Sequence, residues 1–385
     1  MLDLFPLTEE QREIQRVARD FAAAEITPFS AQWDRDSYFE PSLVKKLGDL
    51  GFLGMLTPEE YDGLGLDSVT YLVALEEIAA ADASVAVMMS VHNSLPTQML
   101  STFGTNEQKE RFLRPMARGE LLGAFALSEA DAGSDAAALS TQAVRDGDDW
   151  VLTGTKSWVT SGPYAGVILV QARTDTSANR KGARGIGAFI ITPDMAGFSV
   201  GKKEDKMGLR ASPTVQLVLD GVRVPASNLL GDPAMGYVYA LRSLDAGRLG
   251  IAAQAVGIAR AALGAAVEYA GERKQFGQPI KDFQGIQFKL SNMAMRVAAA
   301  RALLYTAARA KDANATSAKQ AASMAKLFAS ETAMSVTTDA IQVFGGYGYV
   351  KDYPVERLFR DAKITEIYEG TSEIQRIVIA RELYA

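Results

Sequence analysis

The sequence predicts a multidomain α+β protein: an N-terminal α-helical domain over residues 1–121, a middle β-sandwich or barrel-like domain over 122–231, and a C-terminal α-helical bundle domain over 232–385. Three observations support this. The chain has 385 residues, and a single core stops growing at about 250–300 residues, so more than one domain is expected. Apolar spacing is helical up to about Leu121, changes to short β-type runs near Leu122, and returns to a helical, Ala-rich pattern from Met235 onward. No regular helix–strand alternation occurs, which argues against a doubly wound nucleotide-binding unit.

In the first region Thr8 is placed to cap a helix whose apolar positions include Ile14, Val17, Ala18 and Phe21, and Pro28 and Pro41 punctuate the chain beyond that helix. The turn Tyr61-Asp62-Gly63-Leu64-Gly65 precedes a further helix over 69–80. Gly63-x-Gly65 lacks the third glycine and the preceding strand of a dinucleotide fingerprint, so it reads as a loop. Strand-like runs come next at 122–127, 150–155, 167–172, 186–191 and 215–219, separated by Asp146-Gly147, Gly162-Pro163 and Asp220-Gly221 turns, and the β region closes near Val224-Pro225. The polar segment 174–184 reads as an exposed loop. Helices over 244–270, 283–311 and 317–344 are rich in Ala, whose small side chain lets helices approach closely, as in a bundle.

Composition narrows the chemistry. A net charge of −6 and a pI near 5.2 count against a nucleic-acid or anionic-membrane partner. The apolar stretch from Leu72 to Val91 is broken by Glu76, Glu77 and Asp82, so no membrane-spanning segment is expected. The acidic start, with Asp3, Glu9 and Glu10, is unlike a signal or transit peptide, and the expected compartment is a cytoplasm, that of a bacterium. With no Cys and one His, disulfides, thiolate nucleophiles and Cys/His metal centres are excluded. His92 has no G-x-S-x-G elbow beside it and reads as a structural histidine, which leaves proton chemistry to carboxylates.

The carboxylate to watch lies in Ile364-Thr365-Glu366-Ile367-Tyr368-Glu369-Gly370-Thr371-Ser372-Glu373-Ile374-Gln375-Arg376. Val355, Leu358, Phe359 and Ala362 recur at helical spacing before it, and Ile374, Ile377 and Val378 begin a new stripe, so two helices are expected to meet here. Gly370 suits a left-handed break, and Ser372 with Gln375 reads as a capping box for the second helix. Glu369 then sits at the C-terminal end of the first helix, where the helix dipole and burial both oppose ionisation and raise its pKa from about 4.3 toward the range of a general base. A solvated surface carboxylate is the other reading of the same position.

Four further segments have a ligand reading beside an ordinary one. Ala126-Leu127-Ser128-Glu129-Ala130-Asp131-Ala132-Gly133-Ser134-Asp135 runs a strand into a turn that either offers N–H and hydroxyl groups to a polar ring edge or simply ends a strand. In Lys156-Ser157-Trp158-Val159-Thr160-Ser161-Gly162, Trp158 and Thr160 share one strand face by period two, which suits a flat heteroaromatic ligand or core packing of the indole. Glu272-Arg273-Lys274-Gln275-Phe276-Gly277-Gln278-Pro279 either holds a phosphate or solvates a helix end. Gln342-Val343-Phe344-Gly345-Gly346-Tyr347-Gly348-Tyr349 ends a helix in glycines, for close approach to another group or for a plain turn.

Together these segments resemble the acyl-CoA dehydrogenase family over essentially the whole chain. Two family signatures match: the run 126–138, and 342–361 with Gly345, Gly346, Gly348, Asp352, Arg357 and Asp361 in register. Residues 244–250 and 364–379 are most similar to the short-chain, butyryl-CoA members. The resemblance implies the family's fold, with a four-helix bundle as the C-terminal domain, and FAD as cofactor. It also implies an obligate dimer at least, commonly a homotetramer built as a dimer of dimers.

By the same resemblance Glu369 matches the base that removes the pro-R α-proton of an acyl thioester while the β-hydrogen leaves as hydride. Some relatives carry the base at the position of Gly247, so this chain departs from that subgroup. Phe125, Leu127, Ser128, Trp158 and Thr160 match positions lining the flavin ring, and Thr371 and Glu373 match FAD contacts just past the base. Arg273, Phe276 and Gln284 match contacts to the pyrophosphate and adenosine side. Gln342, Val343, Gly345 and Gly346 match a segment reaching the FAD of a neighbouring subunit. Ser134, Asp245 and Arg248 match contacts to coenzyme A, and Tyr368 and Gly370 flank the thioester, whose carbonyl receives the N–H of the base residue. No metal is implied.

The implied reaction is α,β-dehydrogenation of a short-chain acyl-CoA to the trans-2-enoyl-CoA, as in fatty acid β-oxidation, with electrons passed to an electron-transfer flavoprotein. An acyl-CoA oxidase, a desaturase of carrier-protein-linked acyl groups and a non-catalytic flavin-binding scaffold are the alternatives. Intact Glu369-Gly370 and flavin positions count against the scaffold.

Overall fold

A computed structural model describes residues 4–175 and 184–384, so most of the segment expected as an exposed loop, 176–183, lies outside the described residues. α1 (Glu9–Glu25) is capped as expected: the Thr8 hydroxyl takes the Gln11 N–H at 3.2 Å and the Gln11 side chain returns to the Thr8 N–H at 3.1 Å. α2 (Thr27–Asp36) and α3 (Ser42–Asp49) come next, and Asp62 and Gly65 both take positive φ in the turn before α4, a loop as expected. The single helix expected over 69–80 is α4 (Ser68–Ala81) and is followed at once by α5 (Ala83–Ser94), because Asp82 caps a second helix through the Ser84 and Val85 N–H groups at 2.7 and 3.1 Å. α6 (Pro96–Phe103) leads to α7 (Asn106–Gln108), which passes through a π turn into α8 (Arg114–Ala117).

The middle region holds β1 (Leu122–Ala126), β2 (Gln142–Asp146), β3 (Asp149–Thr160), β4 (Ala165–Arg173), β5 (Ile186–Ile191), β6 (Phe198–Lys203), β7 (Thr214–Val224) and β8 (Leu229–Leu230). They form one sheet in the order β6-β7-β3-β2-β4-β5-β8, with β1 parallel to β4. The link between β2 and β4 is the single pair Gln142 and Arg173, so the sheet folds over on itself there. Trp150, Leu152, Val159 and Leu217 from one half meet Ala124, Ile168, Val170, Phe189 and Ile191 from the other. The alternate residues Val167, Leu169, Ala188 and Ile190 pack outward against Met99, Leu100, Phe112, Leu113 and Met116 of the N-terminal helices. Burial on both faces explains why β4 and β5 read as continuous apolar runs. β2 and β6 lie mostly exposed and carry no such run, which is why the sequence did not reveal them.

The C-terminal bundle consists of α9 (Gly236–Glu272), α10 (Gln284–Asp312), α11 (Ala318–Phe344), α12 (Val355–Ile364) and α13 (Ser372–Glu382), with a small hairpin of β9 (Lys274–Gln275) and β10 (Gln278–Pro279) between α9 and α10. α9 is long and apolar enough by composition to cross a membrane, but 72% of the apolar window is buried inside the fold, so it is a core helix. Glu76 and Glu77 of α4 bind it into the N-terminal helices. Glu76 is fully buried and takes Arg260 of α9 together with Arg301 and Tyr305 of α10, while Glu77 takes Arg260 and Arg19.

His92 is structural, as expected. It is fully buried, its Nδ1 accepts the Gly123 N–H at 3.0 Å, and Nε2 faces the Leu53 and Met116 carbonyls without a well-formed hydrogen bond. Burial pushes its pKa down from 6.5 to about 4. The unfolded chain therefore takes up a proton before the folded one does, and the stability His92 contributes is present above pH 6.5 and lost as the pH falls toward 4. Asp361 acts with the opposite sign, since burial raises its pKa to about 7 and its contribution grows on acidification. Comparing wild type with His92→Gln cancels Asp361: the fall in thermal midpoint between about pH 6.5 and 4 is expected to be smaller in the variant, and parallel curves would refute the neutral buried histidine.

Candidate functional site

α12 ends at Ile364, and residues 365–371 form an irregular turn pinned from several sides. Ser330 Oγ of α11 donates to the Thr365 carbonyl at 2.8 Å, the Ser372 N–H donates to the Glu366 carbonyl at 2.9 Å, and the Tyr368 hydroxyl donates to Gln254 Oε1 of α9. The Gly370 carbonyl accepts Lys326 Nζ at 2.8 Å and Gln375 Nε2 at 2.9 Å. Glu369 has φ +52° and Gly370 φ +94°. The left-handed conformation is natural for Gly370, whereas at Glu369 it costs about 1–2 kcal/mol, which the surrounding anchors must overcome.

Two expectations are corrected here. Thr371, not Ser372, caps α13, its hydroxyl accepting the Ile374 N–H at 3.3 Å, and Gln375 holds the turn rather than closing a capping box. Glu369 lies beyond the end of α12, too far for the helix dipole to perturb it, and burial is what does so. Both carboxylate oxygens are buried and neither has a hydrogen-bond partner. Burial raises the Glu369 pKa to about 7, with Lys326 and Arg248 partly offsetting it. Among the described residues the Glu369 N–H has no acceptor.

The carboxylate fits because α9 has a glycine beneath it. A Cβ on Gly247 would lie 2.0 Å from Glu369 Oε2. The next residue, Arg248, is buried and donates to Asp245 at 2.6 Å and Ser323 at 3.4 Å, its Nε remaining without a partner. Leu244, one turn earlier, packs with Leu127 and Phe125 at the end of β1, and Phe125 also reaches the core that Tyr368 borders. Five of the expected residues, Glu369, Tyr368, Phe125, Leu127 and Arg248, are thus brought to one region. Ser134 lies exposed on its turn, whose neighbours Asp135 and Ala136 face Tyr237 at the start of α9.

That turn is held by a buried ion pair. Lys156, fully buried, donates to the Leu127 carbonyl at 3.0 Å and to Glu129 at 2.7 Å, and Glu129 also accepts the Ser140 and Thr141 N–H groups at 2.6 and 3.0 Å. Burial works against both charges, yet these partners hold Glu129 down at about 2, and Lys156 falls to about 8. Ser128 joins β3 through its carbonyl and the Ser157 N–H at 2.9 Å. Burial alternates over 157–160, with Trp158 and Thr160 on the open side and Val159 buried, although a register shift between Lys156 and Val159 makes a bulge with Trp158 at φ +61°. Core packing of the indole fails: Trp158 is 61% exposed, beside half-buried Thr160.

A second region lies elsewhere. Arg273, Val343, Gly345 and Gly346 line one cavity of about 700 Å³ whose walls are Tyr269, Phe344, Tyr347 and Tyr353. The Arg273 guanidinium sits over the Tyr347 ring at 5.4 Å. Val343 is seventeen residues along α11 from Lys326, which contacts the Glu369 turn, so the two positions are about 25 Å apart along the helix at the helical rise per residue. Phe276, at the hairpin tip with φ +50°, is 94% exposed, and Gln284, Gln342 and Glu373 are also exposed and do not line this cavity. These features fit the two ends of FAD: an exposed indole at a β bulge for a flat ring, and a cation with glycine backbone in an aromatic cavity for a diphosphate and an adenine.

Sequence reasoning missed Lys156, Glu129, Gln254, Lys326 and Gln375. Lys326 had a signal: it lies in the stripe Ala322, Ala325, Ala329, Ala333, where a lysine is out of place. Glu129 and Lys156 stand out in the sequence only as parts of their segments, and their pairing depends on strand register.

Gly247→Ala tests the fit of the carboxylate. The clash falls on the free end of a flexible side chain, so the fold is expected to survive with its flavin while the rate of flavin reduction by substrate falls at least about 100-fold, as for a misplaced reacting group. Unchanged reduction kinetics would show that the carboxylate does not need its place over Gly247.

Comparison with known proteins matches three family models: acyl-CoA dehydrogenase N-terminal domain over 8–120, middle domain over 124–222 and C-terminal domain over 234–384. The mouse mitochondrial short-chain specific acyl-CoA dehydrogenase is 49% identical over 377 residues, covering 98% of this chain and 90% of that protein. Butyryl-CoA dehydrogenase from Megasphaera elsdenii superposes with a TM-score of 0.96 at 45% identity, covering 99% of this chain and all of the other. A chain in a structure described as the electron transferring flavoprotein of Acidaminococcus fermentans gives 0.96 at 46% identity, covering 98% and 99%. Three domain models in register, and identity near one half along nearly the whole length, place this flavin-dependent oxidoreductase in the acyl-CoA dehydrogenase family.

Proposed function

We propose that this chain oxidises a short-chain acyl-CoA to its trans-2-enoyl-CoA, with Glu369 as the base and an electron-transfer flavoprotein as electron acceptor. The observation that carries the assignment is the Glu369 carboxylate: buried, unpartnered, raised to about 7 and lodged against a glycine. A thioester α-hydrogen is a very weak acid, so a carboxylate removes it only if negative charge is stabilised at the carbonyl as it develops. The left-handed conformation of Glu369 turns its own carbonyl toward Gln375, and its N–H, which has no acceptor among the described residues, is free to donate to the thioester oxygen. One residue thus offers both proton acceptor and oxyanion donor. FAD, when bound, supplies the hydride acceptor. Phe125, Leu127, Ser128, Trp158 and Thr160 are assigned to its ring, Thr371 and Glu373 to contacts near the base, and Ser134, Asp245 and Arg248 to coenzyme A.

Arg273, Phe276 and Gln284 are assigned to the pyrophosphate and adenosine side, and Gln342, Val343, Gly345 and Gly346 to the FAD of a neighbouring subunit. The length of α11 between this region and Lys326 supports a site completed by a second subunit. A homotetramer is supported by Phe288 and Met295, seven residues apart on α10 and 64% and 63% exposed in the single chain. Domain boundaries after 121 and 231 are proposed from the starts of β1 and α9, and a bacterial cytoplasm, with a role in β-oxidation, from the bacterial relatives.

Anaerobic butyryl-CoA is expected to bleach the flavin of the wild type. Glu369→Gln is expected to retain FAD and lower the reduction rate by about 10³-fold or more. Near-normal reduction in the variant would end the assignment of Glu369, and rapid reoxidation by air would favour an oxidase.

A further inference from the structure

Lys326 is buried in the middle of α11, within a stripe of alanines. Among the described residues its ammonium makes one hydrogen bond, to the Gly370 carbonyl at 2.8 Å. Burying a lysine is costly unless its charge is matched. The other buried lysine, Lys156, has Glu129 as a hydrogen-bonded counter-ion. For Lys326 the anions in range are Glu369, with Glu366 and Glu373 beyond it. Arg248, the other cation facing Glu369, already has Asp245. The remaining titratable neighbours of Glu369 are Tyr71 of α4 and Tyr368, both kept neutral by burial.

We propose that Lys326 is a positioning residue for the proton transfer: it holds the Gly370 carbonyl, and with it the left-handed turn, while its ammonium supports the anionic form of Glu369. This rests on the assignment of Glu369 as the base. In the step itself the substrate Cα–H bond breaks, its proton joins a Glu369 oxygen, and the electron pair remains on the substrate. The base must be charged beforehand and becomes neutral, in a site whose burial favours the neutral form from the outset. A cation outside the proton path keeps the anion populated at neutral pH, where Lys326 is still protonated although burial lowers its pKa to about 8, at some expense in basicity.

The test is the pH dependence of anaerobic flavin reduction by butyryl-CoA in holoenzyme, for wild type, Lys326→Gln, Lys326→Met and Lys326→Arg. Gln keeps a donor for the Gly370 carbonyl without the charge, Met removes both, and Arg keeps the charge. The midpoint is expected to rise by about one pH unit or more in the Gln and Met variants, with the Gln variant regaining its rate at high pH, and to stay near wild type in the Arg variant. Neutral variants that hold FAD and keep the wild-type midpoint overturn the proposal, even if their rates are lower, since a purely structural loss lowers the rate without moving the midpoint. If the neutral variants fail to hold FAD, Glu369→Gln/Lys326→Gln decides, because it keeps the donor for the Gly370 carbonyl. Removing the anion should make the loss of the cation tolerable, and a double variant that fails equally overturns the charge role. Glu369→Gln alone tests the base separately: a reactive variant refutes that assignment, whereas an inactive one with an unshifted Lys326→Gln profile refutes only the present inference.

Discussion

One face of α9 is where the parts of the molecule meet. Gly247, Gly250, Gln254 and Gly257 succeed one another at spacings of three and four, and so share one face of the helix. A Cβ at Gly250 would lie 2.3 Å from Ser90 Oγ of α5, and one at Gly257 would lie 2.6 Å from the Cβ of Ala79 and from the Glu76 carbonyl of α4. Gln254 donates to the Ala83 carbonyl at 2.7 Å and accepts the Tyr368 hydroxyl. The stripe that seats the N-terminal helices is therefore continuous with the place over Gly247 that seats the carboxylate. At its start the same helix rests on the sheet, where Gly236 approaches the backbone of Gly187 and Ala188. Helix packing this close fixes Glu369 relative to both other domains, and a loop at the surface would not have that constraint.

Two buried lysines perform similar mechanical tasks with different electrostatics. Lys156 holds the Leu127 carbonyl and Lys326 the Gly370 carbonyl, so each secures one irregular segment that borders the site. Lys156 is neutralised by Glu129, which is itself saturated with N–H donors, and that pair is closed and structural. The carboxylate that acts most strongly on Lys326, Glu369, has no side-chain hydrogen bonds at all. In a folded protein an unpartnered buried carboxylate is expensive, and its persistence beside an intact turn marks a group kept for chemistry rather than for stability.

Much of this was legible in the sequence because the residues concerned obey local rules. Thr8 with Gln11, the apolar runs of β4 and β5, and the Ala-rich α10 and α11 are each set by neighbours in the chain. The features that were not legible depend on partners far away. The pose of Trp158 results from a bulge against β7, the cap of α13 shifts to Thr371 because Gln375 is taken by the turn, and the burial of Lys326 depends on residues 365–371 returning to α11. Glu369 is marked by its glycine neighbour, but a helix end does not account for its raised pKa: the helix stops short and desolvation is the cause. The family resemblance supplied the roles, and the geometry supplied the physical reason for them.

The turn also shows what the backbone contributes to the placing of Glu369. At Glu369 the backbone is left-handed, which directs its carbonyl inward to Gln375 while the side chain lies over α9. The direction of a backbone N–H is set by the residues before it: the Tyr368 N–H is taken by the Ile364 carbonyl at 3.1 Å, whereas the Thr365 carbonyl, the next acceptor in a helical pattern, is held by Ser330 Oγ and makes no hydrogen bond to the Glu369 N–H. The left-handed φ sets where the Glu369 carbonyl and side chain lie relative to that free donor. Strain of about 1–2 kcal/mol at one residue is small beside the several kcal/mol that an oriented N–H contributes to a developing oxyanion. Holding that strain requires the anchors on Gly370, so the charge of Lys326 and the shape of the turn are parts of one device.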